Sequence, residues 1–174
     1  MRTLTKTLTI SLLGGLSLLP SHSTFAANPE SVVAEVEFVA PITITETNAL
    51  QFGLLDVNLA NAETVVIGSD SAVTDAASRV LGGTQAAASL TVGATATQSI
   101  SILVDNIADG TGYALSAFQC DYNAGASAGA CSASSLSATS IASGTLLVGA
   151  TLTGDGLAAA GAQNGSFDVT VSYQ

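Results

Sequence analysis

Apolar side chains recur at every second position along most of the chain, the spacing of a β-strand with one face against a core. No window shows the longer period of an amphipathic helix. The alternation predicts strands over residues 32–39, 42–45, 50–52 with 55–59, 65–67, 90–92, 100–104, 113–117, 146–152 and 167–173.

Turn-forming clusters separate these segments, among them Gly82-Gly83, Asp109-Gly110 and Asn164-Gly165. Eight or nine short strands at fairly even spacing are typical of an antiparallel sandwich. We therefore predict an all-β fold, a single immunoglobulin-like, Greek-key β-sandwich over residues 27–174. Residues 123–140 are rich in small side chains and are predicted to form a loop region.

The N-terminus has the three-part layout of a secretory signal peptide, with cleavage after Ala26 or Ala27. A membrane anchor is the alternative, but the apolar stretch over residues 8–19 is shorter than the roughly 20 residues of a spanning helix. We predict that residues 1–26 are a signal peptide and that the mature chain inserts in no membrane. Its expected location is the cell surface or the periplasm of a Gram-negative bacterium.

The charge of the mature chain excludes nucleic-acid binding. Arg79 is its one cation against all thirteen acidic residues, which gives a formal charge of −12. Such a surface repels nucleic-acid phosphates and anionic membranes, because both are bound through Lys and Arg. Arg79 itself is expected either to pair with Asp75 or Asp70 or to remain in solvent.

The same composition argues against an enzyme. The segment after residue 26 contains no His and no Lys, so the usual bases for a Ser or Cys nucleophile are missing. Paired carboxylates could hydrolyse glycosides, but such sites also need aromatic platforms, and aromatic residues are few. We predict no enzymatic activity, no catalytic residue and no cofactor.

Two cysteines, Cys120 and Cys131, lie eleven positions apart in a chain predicted to enter an oxidising compartment. A structural disulfide is the expected state, because a redox pair would favour closer spacing and a neighbouring base. Metal binding is not expected. The segment Asp105–Gly110 has some calcium-loop character, but Ile107 stands where an oxygen ligand is required, so a hairpin turn is the better interpretation.

The predicted strands at the two ends carry the functional hypothesis. Residues 28–40 contain an alternating segment with Val32, Ala34, Val36 and Phe38 on one face, and the last strand places Phe167, Val169, Val171 and Tyr173 on one face. Both strands could pair within their own sandwich. Alternatively, the N-terminal strand could enter a groove in a neighbouring copy beside its last strand, which is strand addition in trans.

Two resemblances bear on this choice. The ending F-D-V-T-V-S-Y-Q resembles the C-terminal strand of chaperone–usher pilins, in which that strand is gripped by a periplasmic chaperone. The run over residues 34–53, the Gly-Gly turn, the segment over residues 144–152 and the final V-T-V-x-Y resemble an uncharacterised family of exported bacterial proteins. The first resemblance implies a periplasmic chaperone and an outer-membrane usher as partners.

The sequence therefore predicts a structural subunit of a cell-surface fibre, a pilus or fimbria, that forms a homopolymer by strand exchange. An adhesion or biofilm role would follow. The alternative hypothesis is a self-contained periplasmic or extracellular β-sandwich that acts as a binding module of the cell envelope. The two hypotheses differ in whether the segment with Val32–Phe38 is needed in trans.

Overall fold

The computed structural model describes residues 30–174. The predicted signal peptide over residues 1–26 lies outside the described residues. The chain divides into two compact units, Met1–Val36 and Glu37–Gln174. In the first unit, the described residues 30–36 form no helix and no strand.

The second unit is all-β, as the alternation predicts. Residues 37–174 form twelve strands and no helix. The strands are β1 (Thr43–Asn48), β2 (Leu54–Leu55), β3 (Thr64–Ile67), β4 (Val73–Asp75), β5 (Val80–Gly82), β6 (Ala88–Gly93), β7 (Ser99–Ala108), β8 (Tyr113–Tyr122), β9 (Ser127–Ala130), β10 (Leu136–Thr139), β11 (Gly144–Gly154) and β12 (Ser166–Tyr173).

Every pairing within these sheets is antiparallel. The larger sheet has the order β1-β6-β11-β3-β4, and β8 pairs with both β11 and β9. The smaller sheet has the order β10-β7-β12, and β2 pairs with β5 in a separate ribbon. From β7 to β12 the chain passes between the two sheets several times, which is the connectivity of a Greek-key sandwich.

The core lies between the two sheets and consists of the inward side chains of alternating strands. Strand β7 contributes Ile100, Ile102 and Val104, which pack with inward residues of β6, β8 and β11. Each of these three β7 side chains is at most 1% exposed. The sandwich prediction is confirmed.

The predicted disulfide between Cys120 and Cys131 is present and fully buried. It ties β8 to the residue that follows β9. The main chain of Cys131 also accepts a hydrogen bond from Val104 and donates one to Phe118, at 2.6 and 3.2 Å. Closing a loop of this length stabilises the fold by about 3 kcal/mol in the chain-entropy estimate.

Several details differ from the sequence-based expectation. Strands β4 and β5 were not predicted, and of the predicted strand over residues 50–52 only Gln51 forms an isolated bridge, to Ala86. Residues 30–42 form no strand, so the predicted strand over 32–39 is absent from a single copy, where a strand needs a hydrogen-bonding neighbour. The segment over 55–59 turns after β2, because Asp56 accepts hydrogen bonds from the Asn58 side chain and main chain. The predicted loop over 123–140 contains β9 and β10.

Candidate functional site

Strand β12 lies at the edge of the smaller sheet and has a neighbour on one side only. It pairs with β7 from Ser166 opposite Ala108 to Tyr173 opposite Ile100. None of the strands that the structure describes pairs with its other side. An open edge of this kind is a template for another strand.

The predicted inward residues of β12 do face the core. Along Ser166–Tyr173, exposed and half-buried side chains alternate, and the half-buried ones pack against the core cluster. These side chains are Phe167, Val169, Val171 and Tyr173.

The direction of the main-chain groups follows from the register. The amide of Gln174 donates to the Ser99 carbonyl of β7, at 3.0 Å. Because an antiparallel pair alternates hydrogen-bonded and non-bonded positions, the N–H and C=O groups of Phe167, Val169, Val171 and Tyr173 point away from β7. The open edge therefore offers four donors and four acceptors beside an apolar face.

The opposite wall of the open edge is formed by β1, the edge strand of the larger sheet. Ile44 lies opposite Val92 of β6, and Glu46 lies opposite Leu90. The side chain of Val92 is fully buried, whereas that of Ile44 is 37% exposed. The inward face of β1 is thus incompletely covered.

A groove runs between β1, β6 and β12, and we call it the edge groove. Its cavity of about 320 Å³ is lined by Glu46, Ala49, Leu50, Ala88, Leu90 and the residues Gly165 to Val169. Except for Glu46, the walls contributed by β1, β6 and the segment after β1 are apolar. The groove suits an extended segment with apolar side chains on one face.

A larger cavity of about 760 Å³ opens where β12 begins, and we call it the pole pocket. Its floor is apolar, with Leu50, Phe52, Leu115, Leu152 and Phe167. The loop over residues 158–165 covers one side with small side chains. The pole pocket shares Leu50, Gly165 and Phe167 with the edge groove, so the two cavities adjoin each other.

Aromatic residues fix the walls of the pole pocket. The rings of Phe167 and Phe118 lie 4.9 Å apart at an interplanar angle of 58°. The Tyr113 hydroxyl donates to the Gln163 carbonyl at 3.3 Å, which ties β8 to the covering loop. Burial raises the pKa of Tyr113, so its hydroxyl remains a donor at neutral pH.

At the other end of the sandwich, the segment that precedes β1 is attached to the domain. The Ala40 amide donates to Thr95 Oγ1 at 2.7 Å, and the Tyr173 hydroxyl donates to the Ala40 carbonyl at 2.8 Å. Gln98 Nε2 donates to Glu37 Oε1 at 2.6 Å. Phe38 lies between these attachments, and its side chain is 87% exposed.

The predicted donor residues are otherwise exposed in a single copy. Val32 and Val36, in the first unit, are 88% and 76% exposed, and Ala34 is also exposed. The four predicted residues of β12 thus lie on one face of the strand, and two of them, Phe167 and Val169, line the edge groove. The four predicted donor residues form no site within one copy.

Arg79 pairs with neither predicted acid. Its Nε and Nη2 donate to Glu63 at 2.7 and 2.8 Å, and its Nη1 lies 3.5 Å from Asp56 Oδ2. Asp75 instead accepts from the Val80 amide at 2.7 Å. The hydrogen bond from Arg79 lowers the pKa of Glu63, and the Asn58 amide is the main cause that lowers the pKa of Asp56.

We predict that Glu63→Gln lowers the melting temperature by a few degrees at pH 7. The pKa of Glu63 is lowered in the fold, so its stabilising effect is present above the usual value of 4.5 and is lost as the pH falls through the folded value. The difference from the wild type should therefore shrink as the pH is lowered below 4.5. Calorimetry at pH 7 and over a series of acid pH values checks this, with Glu30→Gln as the charge-matched control; a deficit that does not change with pH would contradict it.

The described residues hold no other candidate chemistry. Within residues 30–174, no three His, Cys, Asp or Glu side chains come together as a metal-binding group. That same part of the chain has no helix with the length and apolar character to cross a membrane. The Asp109-Gly110 segment lies in the connection between β7 and β8, but these strands belong to different sheets, so the predicted hairpin turn is wrong and the connection crosses from one sheet to the other.

Comparison with protein families gives one match. A family described as a domain of unknown function (DUF4402) matches residues 42–173. The chain belongs to this family. The DUF4402 region extends from the residue before β1 to the end of β12, so it includes both walls of the edge groove and the whole pole pocket.

The DUF4402 region begins after the predicted donor residues, which all precede residue 42. No curated protein and no solved structure matches the chain. The family therefore identifies the domain and assigns it no function.

The sequence did not indicate the pole pocket, because its floor combines residues from four separate parts of the chain. One local signal was available. The segment Ala158–Gly165 contains Ala, Gly, Gln and Asn, and no large apolar side chain, although it connects two long apolar strands. A connection of this composition fills little space and leaves room beneath it.

Proposed function

We propose that this protein is a structural subunit of a cell-surface fibre in which the N-terminal segment of one copy adds a strand beside β12 of the next. The observation that carries the proposal is the open edge of β12, whose first half, with Phe167 and Val169, borders a groove that is apolar on its opposite side except for Glu46. Strand addition at a sheet edge is an established mode of recognition.

The N-terminal segment matches this edge in length and pattern. Val32, Ala34, Val36 and Phe38 alternate with residues that include Glu35 and Glu37. Four inward side chains of a donor strand would therefore face the groove beside the four half-buried side chains of β12. The two glutamates would lie on the solvent face, where charged residues are favourable.

Burial of the donor side chains is large enough to hold subunits together. Removing three large apolar side chains and one alanine from water contributes on the order of 5 kcal/mol. Main-chain hydrogen bonds along the edge add to this, and the loss of rotational and translational freedom offsets part of it. A contact from one end of a copy to the groove of another does not close on itself, so it produces a filament.

An unassembled subunit would expose the same edge, which promotes aggregation. We therefore propose that a periplasmic chaperone covers β12 before assembly and that an outer-membrane usher exports the subunits. Export through the inner membrane by a signal peptide over residues 1–26, in a Gram-negative bacterium, and a role in adhesion or biofilm belong to the same proposal.

Shearing intact cells tests the proposal directly. The released material is run on SDS gels, unheated and boiled, and detected with antibody against residues 28–174. We expect a ladder in the unheated lane that collapses to one monomer band on boiling, because non-covalent strand exchange resists SDS until the subunits unfold. A single monomer band in both lanes, with the protein retained in the periplasm, would overturn the proposal.

The pole pocket favours a second candidate, a self-contained binding module of the cell envelope. Its apolar floor and the Tyr113 hydroxyl are typical of a site for a small apolar ligand. In that case the purified chain would be a well-behaved monomer whether or not residues 30–39 are present. The shear experiment and the oligomeric state of the purified protein distinguish the two candidates.

A further inference from the structure

We propose that Phe38 of one copy fills the pole pocket of the next copy, so that the inserted strand runs antiparallel to β12. This inference rests on the proposed strand exchange and specifies its direction and register. It assigns the pole pocket a partner of defined chemistry, the aromatic ring of a second copy of the same chain.

The residues on both sides of Phe38 are hydrogen-bonded to the domain, whereas the Phe38 side chain faces solvent. Its neighbour Glu37 accepts a hydrogen bond from Gln98, and Ala40 is bonded to Thr95 and Tyr173. The Phe38 side chain nevertheless stays 87% exposed. Phe38 belongs to a run of exposed large apolar side chains, with Val32, Val33, Val36 and Val39, and exposed apolar surface of this kind marks an interaction site.

Phe38 and the pole pocket lie at opposite ends of the sandwich, near the two ends of β12. Tyr173, at the end of β12, donates to Ala40, two residues after Phe38. Phe167, near the start of β12, forms the floor of the pole pocket. Strand β12 separates Phe167 from Tyr173 by about 20 Å at roughly 3.3 Å per residue. Phe38 therefore cannot reach the pole pocket of its own copy.

The place of Phe38 at the Tyr173 end of its own copy determines whether the inserted strand runs parallel or antiparallel to β12 of the next copy. The attachments at Glu37 and Ala40 keep Phe38 close to the end of its own sandwich that carries Tyr173. In a parallel insertion, Phe38 would lie beside Tyr173 of the acceptor. The Tyr173 ends of the donor and the acceptor would then meet, and the N-terminal segments of both copies would occupy the same space. In an antiparallel insertion, Phe38 lies beside Phe167 and the opposite ends meet, which continues head to tail.

The antiparallel register places the largest donor side chain at the largest cavity. With Phe38 opposite Phe167, the smaller Val36 and Ala34 lie opposite Val169 and Val171. The register also places Glu37 near Asp168 on the solvent face, a like-charge pair that opposes insertion. An exposed cross-strand pair contributes less than the burial of an aromatic ring, so the pole pocket determines the register.

Cysteine pairs on the solvent face test the direction. In the antiparallel register Val33 faces Ser172, and in the parallel register Val33 faces Asp168. In both registers Glu35 faces Thr170. We therefore expect boiled, non-reducing ladders from full-length chains carrying Val33→Cys with Ser172→Cys, and from the control carrying Glu35→Cys with Thr170→Cys.

The outcomes separate the inference from the proposed function. A ladder from the Glu35/Thr170 control together with one from Val33→Cys with Asp168→Cys would overturn the antiparallel register and leave strand exchange intact. No ladder from the control, in a chain that is exported and folded, would overturn strand exchange and the inference with it.

A fluorescence experiment tests the pocket itself. The chain contains no tryptophan, so Phe38→Trp introduces a single reporter. We expect its emission to shift to the blue on assembly, because the ring leaves water for the pole pocket, whereas Glu35→Trp on the solvent face should not shift. Equal emission from assembled and unassembled Phe38→Trp chains would overturn the assignment of Phe38 to the pocket.

Discussion

Replacing Val36 with aspartate is expected to abolish the SDS-resistant ladder released from sheared cells. In its antiparallel register, the proposed strand exchange places this side chain in the edge groove beside Val169, opposite a wall that is apolar except for Glu46. Burial of an unpaired carboxylate costs several kcal/mol, in addition to the lost contribution of the valine. A loss of about 3 kcal/mol corresponds to an assembly constant reduced more than a hundredfold.

The matched control is Val33→Asp, the same change three positions earlier. Val33 is 80% exposed in the single copy and belongs to the alternate face of the segment, which points to solvent in the proposed fibre. The ladder should survive this substitution. Equal loss from both variants would show that the alternation does not determine assembly, and a full ladder from Val36→Asp would show that the segment is not inserted.

Long alternating segments were predictable because each has a face that the core must bury. Strands β7, β11 and β12 follow the period-two pattern through residues 100–104, 146–152 and 167–173, and all three were expected from the sequence. The pattern alone fixes such strands, since a shift by one residue would expose every inward side chain.

Strands β9 and β10 were not predictable from pattern. Ser127–Ala130 and Leu136–Thr139 consist mainly of small residues and contain one large apolar side chain, Leu136. Their extended conformation is imposed by pairing with β8 and β7 and by the disulfide between them. Tertiary contacts of this kind override weak local preference.

One part of the candidate site could be predicted from the sequence, and the other part could not. The alternation identified the four residues of β12 that face the core, and the open edge beside them became visible only in the sheet order. Arg79 shows the same limit. The predicted partners were near in sequence, whereas Glu63 lies sixteen positions away and is brought close by the fold.

Supplying the missing strand in the same chain should convert the subunit into a stable monomer. In this variant, residues 30–39 are removed from their natural place and appended after Gln174 through a turn of about four residues. The appended strand would occupy the edge groove of its own copy, so no edge remains for a neighbour. We expect a monomer by light scattering, and no ladder.

The same variant should melt at a higher temperature than a chain that simply lacks residues 30–39. Burial of the donor side chains contributes on the order of 5 kcal/mol, which corresponds to a rise of about 10 °C or more for a domain of this size. Differential scanning calorimetry checks the value. An appended segment with Val36→Asp is the control, and it should melt like the truncated chain.

Linker length connects this prediction to the direction of insertion. Strand β12 ends at Tyr173, and an antiparallel donor begins beside that residue, so a short turn is sufficient. A parallel donor would begin beside Phe167, and its linker would have to cross about 20 Å. If the short linker leaves the melting temperature unchanged and a linker of about twelve residues raises it, the donor runs parallel; if neither raises it, the edge groove does not accept this segment.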